Sequence, residues 1–318
     1  MYCNKINNFV KCLVVGSLAL ICGFCLIACS GQNIEKITGE QTLTENLIDK
    51  DIQIKRDIVQ ECEYDDQGKL IKIIFTGQNY FKDHYVMHEY GSSGNEIKNI
   101  KYDLDGKLIG WSDYEYNKQV NGIIKLSYDS EGNYTFRIER LYDDYENLIC
   151  EKQFDSEREC VWWQEWKYDD LGNMKESKVC NPDGSTERTV EYLYDKSGNV
   201  TNVIYWDAEG KLNRWDEYVY EDKSVYIYSY TTQGLVFYDK EEYDEKDQKI
   251  KCSTFSKNNK IDFEDLMRYE IWEYDKYGNE IKHIRFDENG EIDSWFEYEY
   301  DIKGNCIRTF ECEYLTTE

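Results

Sequence analysis

Tyr168-Asp-Asp-Leu-Gly-Asn173, then 20 residues of interleaved charged and apolar side chains, then Tyr194-Asp-Lys-Ser-Gly-Asn199: this stretch holds the unit from which most of the chain is built. Tyr64, Tyr90, Tyr116, Tyr142, Tyr168, Tyr194 and Tyr220 stand 26 residues apart, and a fixed period of that length marks an array of one supersecondary unit. A second series, Tyr102, Tyr128, Phe154, Cys180 and Trp206, falls 12 residues after one member of the first series and 14 before the next. Each unit therefore has two turns and two strands.

The turns have a chemical cause. Those of the first type read YDDLGN, YDKSGN, YDKYGN (from Tyr274) and YDIKGN (from Tyr300); YDSEGN begins at Tyr128, and YDLDGK, WDAEGK and FDENGE begin at Tyr102, Trp206 and Phe286. Asp at the head of a type I turn accepts hydrogen bonds from the backbone N–H groups that follow it, and Gly three residues on takes the left-handed conformation that closes a bulged hairpin. Between turns the residues alternate, as in Trp215-Asp-Glu-Tyr-Val-Tyr220 and Trp295-Phe-Glu-Tyr-Glu-Tyr300, so Tyr218 and Tyr220 share one face and Trp215 and Glu217 the other. Strands of roughly 7 to 9 residues joined by tight turns leave no room for crossover helices and must be antiparallel. The expected fold is all-β: up-and-down hairpin repeats, about 18 strands, forming a long twisted or spiralling sheet. The register slips late in the chain, where Tyr220 to Tyr243 is 23 residues and Phe255 to Tyr274 is 19. Lys260 to Tyr269 (KIDFEDLMRY) reads there as a loop or a single helical turn.

The N-terminus is organised differently. Lys5 and Lys11 precede an apolar run from Leu13 to Ala28 that ends in Leu26-Ile27-Ala28-Cys29. This resembles the lipobox of bacterial lipoproteins, which implies cleavage before Cys29 and attachment of diacylglycerol to its thiol. A run of about 16 residues is short for a spanning helix, which needs about 20. The expected organisation is a signal peptide over residues 1–28, a polar tether over 29–47 and the repeat domain over 48–318, held by its lipid at the extracytoplasmic face of the cell membrane. High Lys, Ile, Asn and Tyr contents with one proline, Pro182, suit an AT-rich bacterial genome.

Composition narrows the partners. With 64 Asp and Glu against 38 Lys and Arg, the net charge of −26 disfavours nucleic acid and anionic headgroups. The 29 tyrosines suit half-buried rings with wet hydroxyls. Charges on both strand faces argue against a transmembrane barrel, whose outside needs an apolar band. Of the 12 cysteines, seven follow Cys29 (Cys62, Cys150, Cys160, Cys180, Cys252, Cys306 and Cys312), an odd number at unrepeated positions that reads as small apolar residues rather than a disulfide framework. Cys150 and Cys160 flank one turn and invite the question of a cross-hairpin pair.

The Tyr-Asp-x-x-Gly-Asn turns with aromatic-rich strands between them resemble the YD repeats of the Rhs family, over about Cys62 to Glu313, although YDDYEN at Tyr142 and YDEKDQ at Tyr243 depart from the pattern. In that family the repeats wind into a β-sheet shell able to enclose a toxic C-terminal domain. The sequence runs only 13 residues past Asn305, and the strip reads as short for a closed shell, so the resemblance is taken to imply the fold and not the toxin.

Chemistry is sparse. His84 and His88 have the spacing of a zinc pair on a helix, but on a strand their rings stand about 13 Å apart. Asp103-Leu104-Asp105-Gly106 and Asp287-Glu288-Asn289-Gly290 have the carboxylate spacing of calcium loops but lack a closing Glu, and a type I turn needs the same residues without an ion. No nucleophile elbow, phosphate loop or Cys/His constellation is present. The chain reads as a non-enzyme with no cofactor and no metal. The candidate recognition surface is Trp111, Trp163, Trp215 and Trp295, each five residues before a first-series Tyr, the first three 52 apart. Such a row either stacks on sugar rings or packs the sheet. The expected function is a surface-anchored binding or structural scaffold. Its alternatives are a cell-wall glycan binder using the Trp row and an immunity-type protein partner of a secreted toxin.

Overall fold

The computed structural model describes residues 53–77, 83–257 and 264–315, so the expected signal peptide, Cys29 and the expected tether lie outside the described residues. The chain divides into two compact units, residues 56–313 and residues 1–55 with 314–318, and the description below concerns the first. Its strands are β1 Gln53–Tyr64, β2 Leu70–Phe75, β3 His84–Tyr90, β4 Glu96–Asp103, β5 Leu108–Asn117, β6 Gly122–Asp129, β7 Tyr134–Tyr142, β8 Leu148–Phe154, β9 Cys160–Tyr168 and β10 Met174–Cys180. They continue as β11 Thr186–Tyr194, β12 Val200–Trp206, β13 Leu212–Glu221, β14 Ser224–Thr231, β15 Gly234–Tyr243, β16 Lys249–Lys257, β17 Glu264–Tyr274, β18 Glu280–Asp287, β19 Ile292–Tyr300 and β20 Cys306–Leu315.

Each strand pairs antiparallel with its sequence neighbours, and β1 also pairs with β20, so the 20 strands close into a barrel. The expected all-β antiparallel sheet of hairpin repeats is present, and it closes on itself, which the reading of the strip as short for a closed shell did not anticipate. Local geometry supplies the reason. At the Asp195 turn the Asp195 N–H donates to Asn199 O (2.9 Å) and the Gly198 N–H to Asp195 O (3.1 Å). Asp195 Oδ1 accepts the N–H groups of Ser197 and Asn199 (2.8 and 2.9 Å), and Oδ2 accepts Asn199 Nδ2 (3.0 Å). Directly after the turn Tyr194 faces Val200 but Leu193 faces Asn202, which leaves one residue bulged out. The same irregularity follows nearly every Asp-led turn. A bulge bends its strand and increases the right-handed twist. Repeated at hairpin after hairpin, that curvature brings the sheet back to its own first strand.

The seam repeats a bond found throughout the array. Each of eight first-series tyrosines donates its hydroxyl to the backbone carbonyl six residues past the preceding first-series tyrosine. These are Tyr90 to Leu70 (2.7 Å), Tyr116 to Glu96 (2.7 Å), Tyr168 to Leu148 (2.9 Å), Tyr194 to Met174 (2.6 Å), Tyr220 to Val200 (3.0 Å), Tyr274 to Lys249 (2.8 Å), Tyr300 to Glu280 (2.6 Å) and Tyr64 to Cys306 (3.0 Å). The last spans 242 residues of sequence, so Tyr64 stands to Tyr300 as Tyr90 stands to Tyr64. Arg308 adds ion pairs to Glu61 (3.1 Å) and Glu299 (3.0 Å) beside it. The rings are half-buried or exposed, and each of these hydroxyls also donates to the chain itself.

Two odd-to-even connections have neither the Asp-led turn nor its Gly91-led counterpart, and there the latch changes. After the Asn117–Gly122 and Glu221–Ser224 connections, the backbone N–H groups of Tyr142 and Tyr243 donate to Asn121 O (2.9 Å) and Lys223 O (2.8 Å). The short link at Asp222-Lys223 also accounts for the 23-residue spacing from Tyr220 to Tyr243. Residues 264–269 are strand in β17 and not helix, a second correction; the remainder of that break lies outside the described residues. Cys150 faces Glu165, whereas Cys160 faces Phe154, so the two cysteines are not opposite one another.

Most turns place Gly in the left-handed conformation, as at Gly210 (φ 73°), but Glu146, Arg158 and Asp247 hold it at φ 65°, 68° and 62°. Left-handed backbone costs a residue with a Cβ about 1–2 kcal/mol. Glu146→Gly and Asp247→Gly are each expected to raise unfolding stability by about 0.5–1 kcal/mol, and Gly210→Ala, where an added Cβ meets nothing within 4 Å, to lower it through backbone conformation alone; urea unfolding checks both signs. Tyr64→Phe removes the seam latch and leaves the Cys306 carbonyl without it, an expected loss of about 1 kcal/mol on the same measurement.

Candidate functional site

Register and alternation give the sheet two chemically distinct faces. Tyr116, Tyr114 and Ser112 lie on one, with Asn99, Lys125 and Ser127 opposite them in the neighbouring strands; Trp111, Asp113 and Glu115 lie on the other. All four candidate tryptophans fall on this second face. They do not form a continuous row. Trp111, Trp163 and Trp215 sit on β5, β9 and β13, roughly 19 Å apart at the usual strand spacing, and Trp295 lies six strands further on.

Each indole is occupied within its own ladder. Trp111 stacks on Tyr128 (centroids 5.2 Å apart) and Trp215 on Tyr230 (5.2 Å). Lys98, Lys152 and Lys282 hold their amines 5.6, 4.4 and 4.1 Å from the ring centroids of Trp111, Trp163 and Trp295. The Trp111 N–H donates to Asp113 (3.3 Å) and that of Trp215 to Glu217 (3.0 Å). Trp295 is only 4% exposed, which leaves no ring face for a sugar. Of the ring partners, Tyr128 belongs to the second aromatic series, and Tyr230 stacks in the same way from β14. Tyr85 with Tyr102, Tyr238 with Phe255 and Tyr269 with Phe286 continue the same stacking around the sheet (5.1, 4.8 and 4.4 Å).

The tyrosine face carries polar chains that the sequence did not reveal. His88 Nδ1 meets Glu96 Oε1 at 2.7 Å, and Asn99 Nδ2 donates to the same carboxylate (3.3 Å) and to the Tyr114 hydroxyl (2.7 Å). Ser112 and Ser127 bond to one another at 2.8 Å while buried. Lys125 places its amine 5.7 Å from the ring centroids of both Tyr114 and Phe136. Burial, then the Arg140 charge, pushes the Lys125 amine below its usual range, and burial, then Glu96, pushes Tyr114 up to about 12. Arg140 donates to Glu151 at 2.6 Å. Further round, His283 Nε2 meets Glu270 at 2.8 Å and stacks on Trp272 (4.7 Å).

These groups are paired with each other or with rings, an arrangement that cements strands. His84 stacks on Phe75 at 4.9 Å. The aspartates of the two calcium-like loops turn inward on their own backbones: Asp103 Oδ1 accepts from Lys107 N (2.8 Å), and Asp287 Oδ1 from Asn289 N (2.9 Å) and Glu291 N (2.8 Å). Burial, then Asp239 and Glu241, pushes the Cys252 thiol up to about 12, the opposite of a reactive thiolate. Among the described residues neither face offers an apolar band. Charged residues stand mid-strand on the tyrosine face (Lys125, Arg140, Glu270) and on the tryptophan face (Lys98, Glu165, Glu297).

No family model matches the chain, and no curated protein does. Among solved structures it is similar to TcdB2-TccC3-TEV, with 12% identity over 79% of this chain and 17% of that one (TM-score 0.30). TcdB2-TccC3 without its hypervariable C-terminal region is similar at 11% identity over 86% and 19% (TM-score 0.21). A porin-like protein from Bacteroides uniformis is similar at 9% identity over 81% and 96% (TM-score 0.34). The chain spans less than a fifth of the length of the two TcdB2-TccC3 chains.

Glu270 titrates below its ordinary value of 4.5, first through the His283 hydrogen bond and then, against the opposing effect of burial, through Arg285. A carboxylate whose folded value is lowered contributes stability that is complete above its unfolded value and is lost as the pH falls through the folded one. The stability difference between wild type and Glu270→Gln is therefore expected to be largest above about pH 4.5 and to shrink below it, followed by thermal melts across that window.

Proposed function

We propose that this protein is a surface lipoprotein, anchored through Cys29, whose YD-type β-repeat domain is a non-catalytic binding or structural scaffold. The observation that carries this reading is where the polar side chains are spent. Carboxylates, histidines and tyrosine hydroxyls on the strand faces bond to neighbouring strands and to their own turns. A catalytic centre on a repeat scaffold needs one unit that departs from its neighbours and leaves a reactive group poised. The units that depart here, at Asn117–Gly122 and Glu221–Ser224, do so in turn geometry. Scaffold is favoured over a glycan platform because the four indoles stand strands apart and are covered by lysines, tyrosines or burial.

Two measurements test it. Full-length protein is expected in the detergent-extractable membrane fraction, and Cys29→Ser is expected to leave that fraction; equal partitioning of the two would defeat the anchor. Trp163→Ala and Trp215→Ala are expected to lower stability by roughly 2 kcal/mol each without changing retention on peptidoglycan. Loss of retention at unchanged melting temperature would reinstate the sugar platform.

A further inference from the structure

The two ends of the barrel differ. The connections from odd to even strands, β1–β2 through β19–β20, lie at one end, and those from even to odd strands lie at the other. At the first end Ile302 is fully exposed and Tyr145, Leu171 and Tyr277 are 87%, 84% and 78% exposed, whereas the most exposed large apolar side chain in a described turn of the second end is Leu104 at 50%. The second end instead presents Asp105, Glu131, Glu157, Asp183 and Glu209, all exposed, each just before the left-handed residue of its turn. A solvated turn gains nothing from leucine, isoleucine or tyrosine at its tip, and local turn chemistry requires none there.

The order around the first end is fixed by the closed sheet. Taken in sequence, its ten tips carry Asp66; Ser92 and Ser93; Lys118 and Val120; Asp144, Tyr145 and Glu146; Asp170 and Leu171; Lys196; Asp222 and Lys223; Glu245, Lys246 and Asp247; Lys276 and Tyr277; and Ile302 and Lys303. The acidic apolar tips, at Tyr145 and Leu171, stand half a turn from the basic apolar tips, at Tyr277 and Ile302. A second copy placed mouth to mouth is related to the first by a twofold axis lying across the barrel opening. With near-even strand spacing, two such axes bring the four most exposed tips onto one another. One sets Asp144 against Asp170 and Lys276 against Lys303, which repels. The other passes through the β3–β4 and β13–β14 turns. It sets Tyr145, Asp144 and Glu146 against Ile302 and Lys303, Leu171 and Asp170 against Tyr277 and Lys276, Lys196 against the net-acidic Glu245-Lys246-Asp247 tip, and Asp66 against Lys118. The turn on its axis, Asp222-Lys223, meets its own copy with opposite charges aligned.

We propose that this end of the barrel is a self-association surface and that its partner is a second copy of this chain, docked about the axis through the β3–β4 and β13–β14 turns. Apolar tips supply the attraction, and the charges choose between the two axes. Lys303 already donates to Asp66 O (2.8 Å) and Lys276 lies 4.7 Å from the Tyr277 ring centroid, which holds both tips in place while leaving the amines further donors. The inference does not depend on the lipid anchor.

Sedimentation equilibrium of the full-length protein in detergent tests it, with melting curves confirming that these surface variants fold. Wild type is expected to dimerise. Asp170→Lys and Lys276→Asp are each expected to weaken the dimer at least about tenfold, and the two together to recover most of that loss, because each change meets the other across the interface. A monomer at all concentrations overturns the proposal. So does a tighter dimer with Asp170→Lys, which would place Asp144 opposite, or a double variant as weak as the sum of the singles.

Discussion

The barrel depends on one carboxylate used the same way again and again. An Asp at the head of a turn holds two backbone N–H groups and, in many turns, the side-chain amide four residues on, so the turn is closed by its own residues, independently of the strand ladder. The pattern at Asp129, Asp143, Asp169, Asp275 and Asp301 matches that at Asp195. The hydrogen bonds from Asn133, Asn199 and Asn305 hold Asp129, Asp195 and Asp301 below the usual carboxylate range, an electrostatic sign that the turn prefers the ionised acid. Once the turn is set, register follows, because a slip of one residue would exchange the tyrosine and tryptophan faces.

Local closure of turns does not explain closure of the ring. Strands that pair only with sequence neighbours make short-range contacts, and the β1–β20 seam is the long-range exception. An open sheet would leave the outer N–H and C=O groups of β1 and β20 as two exposed edges. The seam removes both, and it introduces no new chemistry: the Tyr64 hydroxyl finds the Cys306 carbonyl as every other latch finds its own. The array thus treats its end as the next unit before its beginning. Loss of one unit would leave all latches chemically intact and change only the circumference, so bulge-driven curvature, rather than any special seam residue, has to match 20 strands to one turn of the ring.

This separates what the sequence revealed from what it hid. Turn positions, antiparallel pairing and the split of Tyr218 and Tyr220 from Trp215 and Glu217 were legible, because they follow from Asp-Gly spacing and from alternation. The latch was hidden because its acceptor is a backbone carbonyl, which carries no residue identity. Curvature was hidden too, since the bulged residue (Thr201 in β12, for instance) is unremarkable by type. The tryptophan spacing misled for a simpler reason: a period of 52 residues is four strands, so equal spacing placed the indoles on one face but out of reach of each other. Lys125 and Arg140 were missed as neighbours because they come from strands whose separation in sequence matches no motif.

Repetition constrains faces and ends differently. A face residue must suit two neighbouring strands at once, which is why acids and bases there are tied in pairs such as Arg140 with Glu151 and Lys249 with Glu241. A turn tip is tied to its neighbours at fewer points, as where Lys303 meets Asp66 O and Lys223 meets Asp247. The two residues between Asp and Gly bear on the turn only through backbone conformation, so their side chains vary freely across units as Asp-Leu, Lys-Ser, Lys-Tyr and Ile-Lys while the hydrogen bonds stay constant. Binding specificity is therefore cheapest to place at the ends of such a barrel. Large apolar tips gathered at one end, with acids in the matching turn position (Asp105, Glu131, Glu157, Asp183 and Glu209) at the other, are the distribution expected if the ends, and not the strand faces, differ in role.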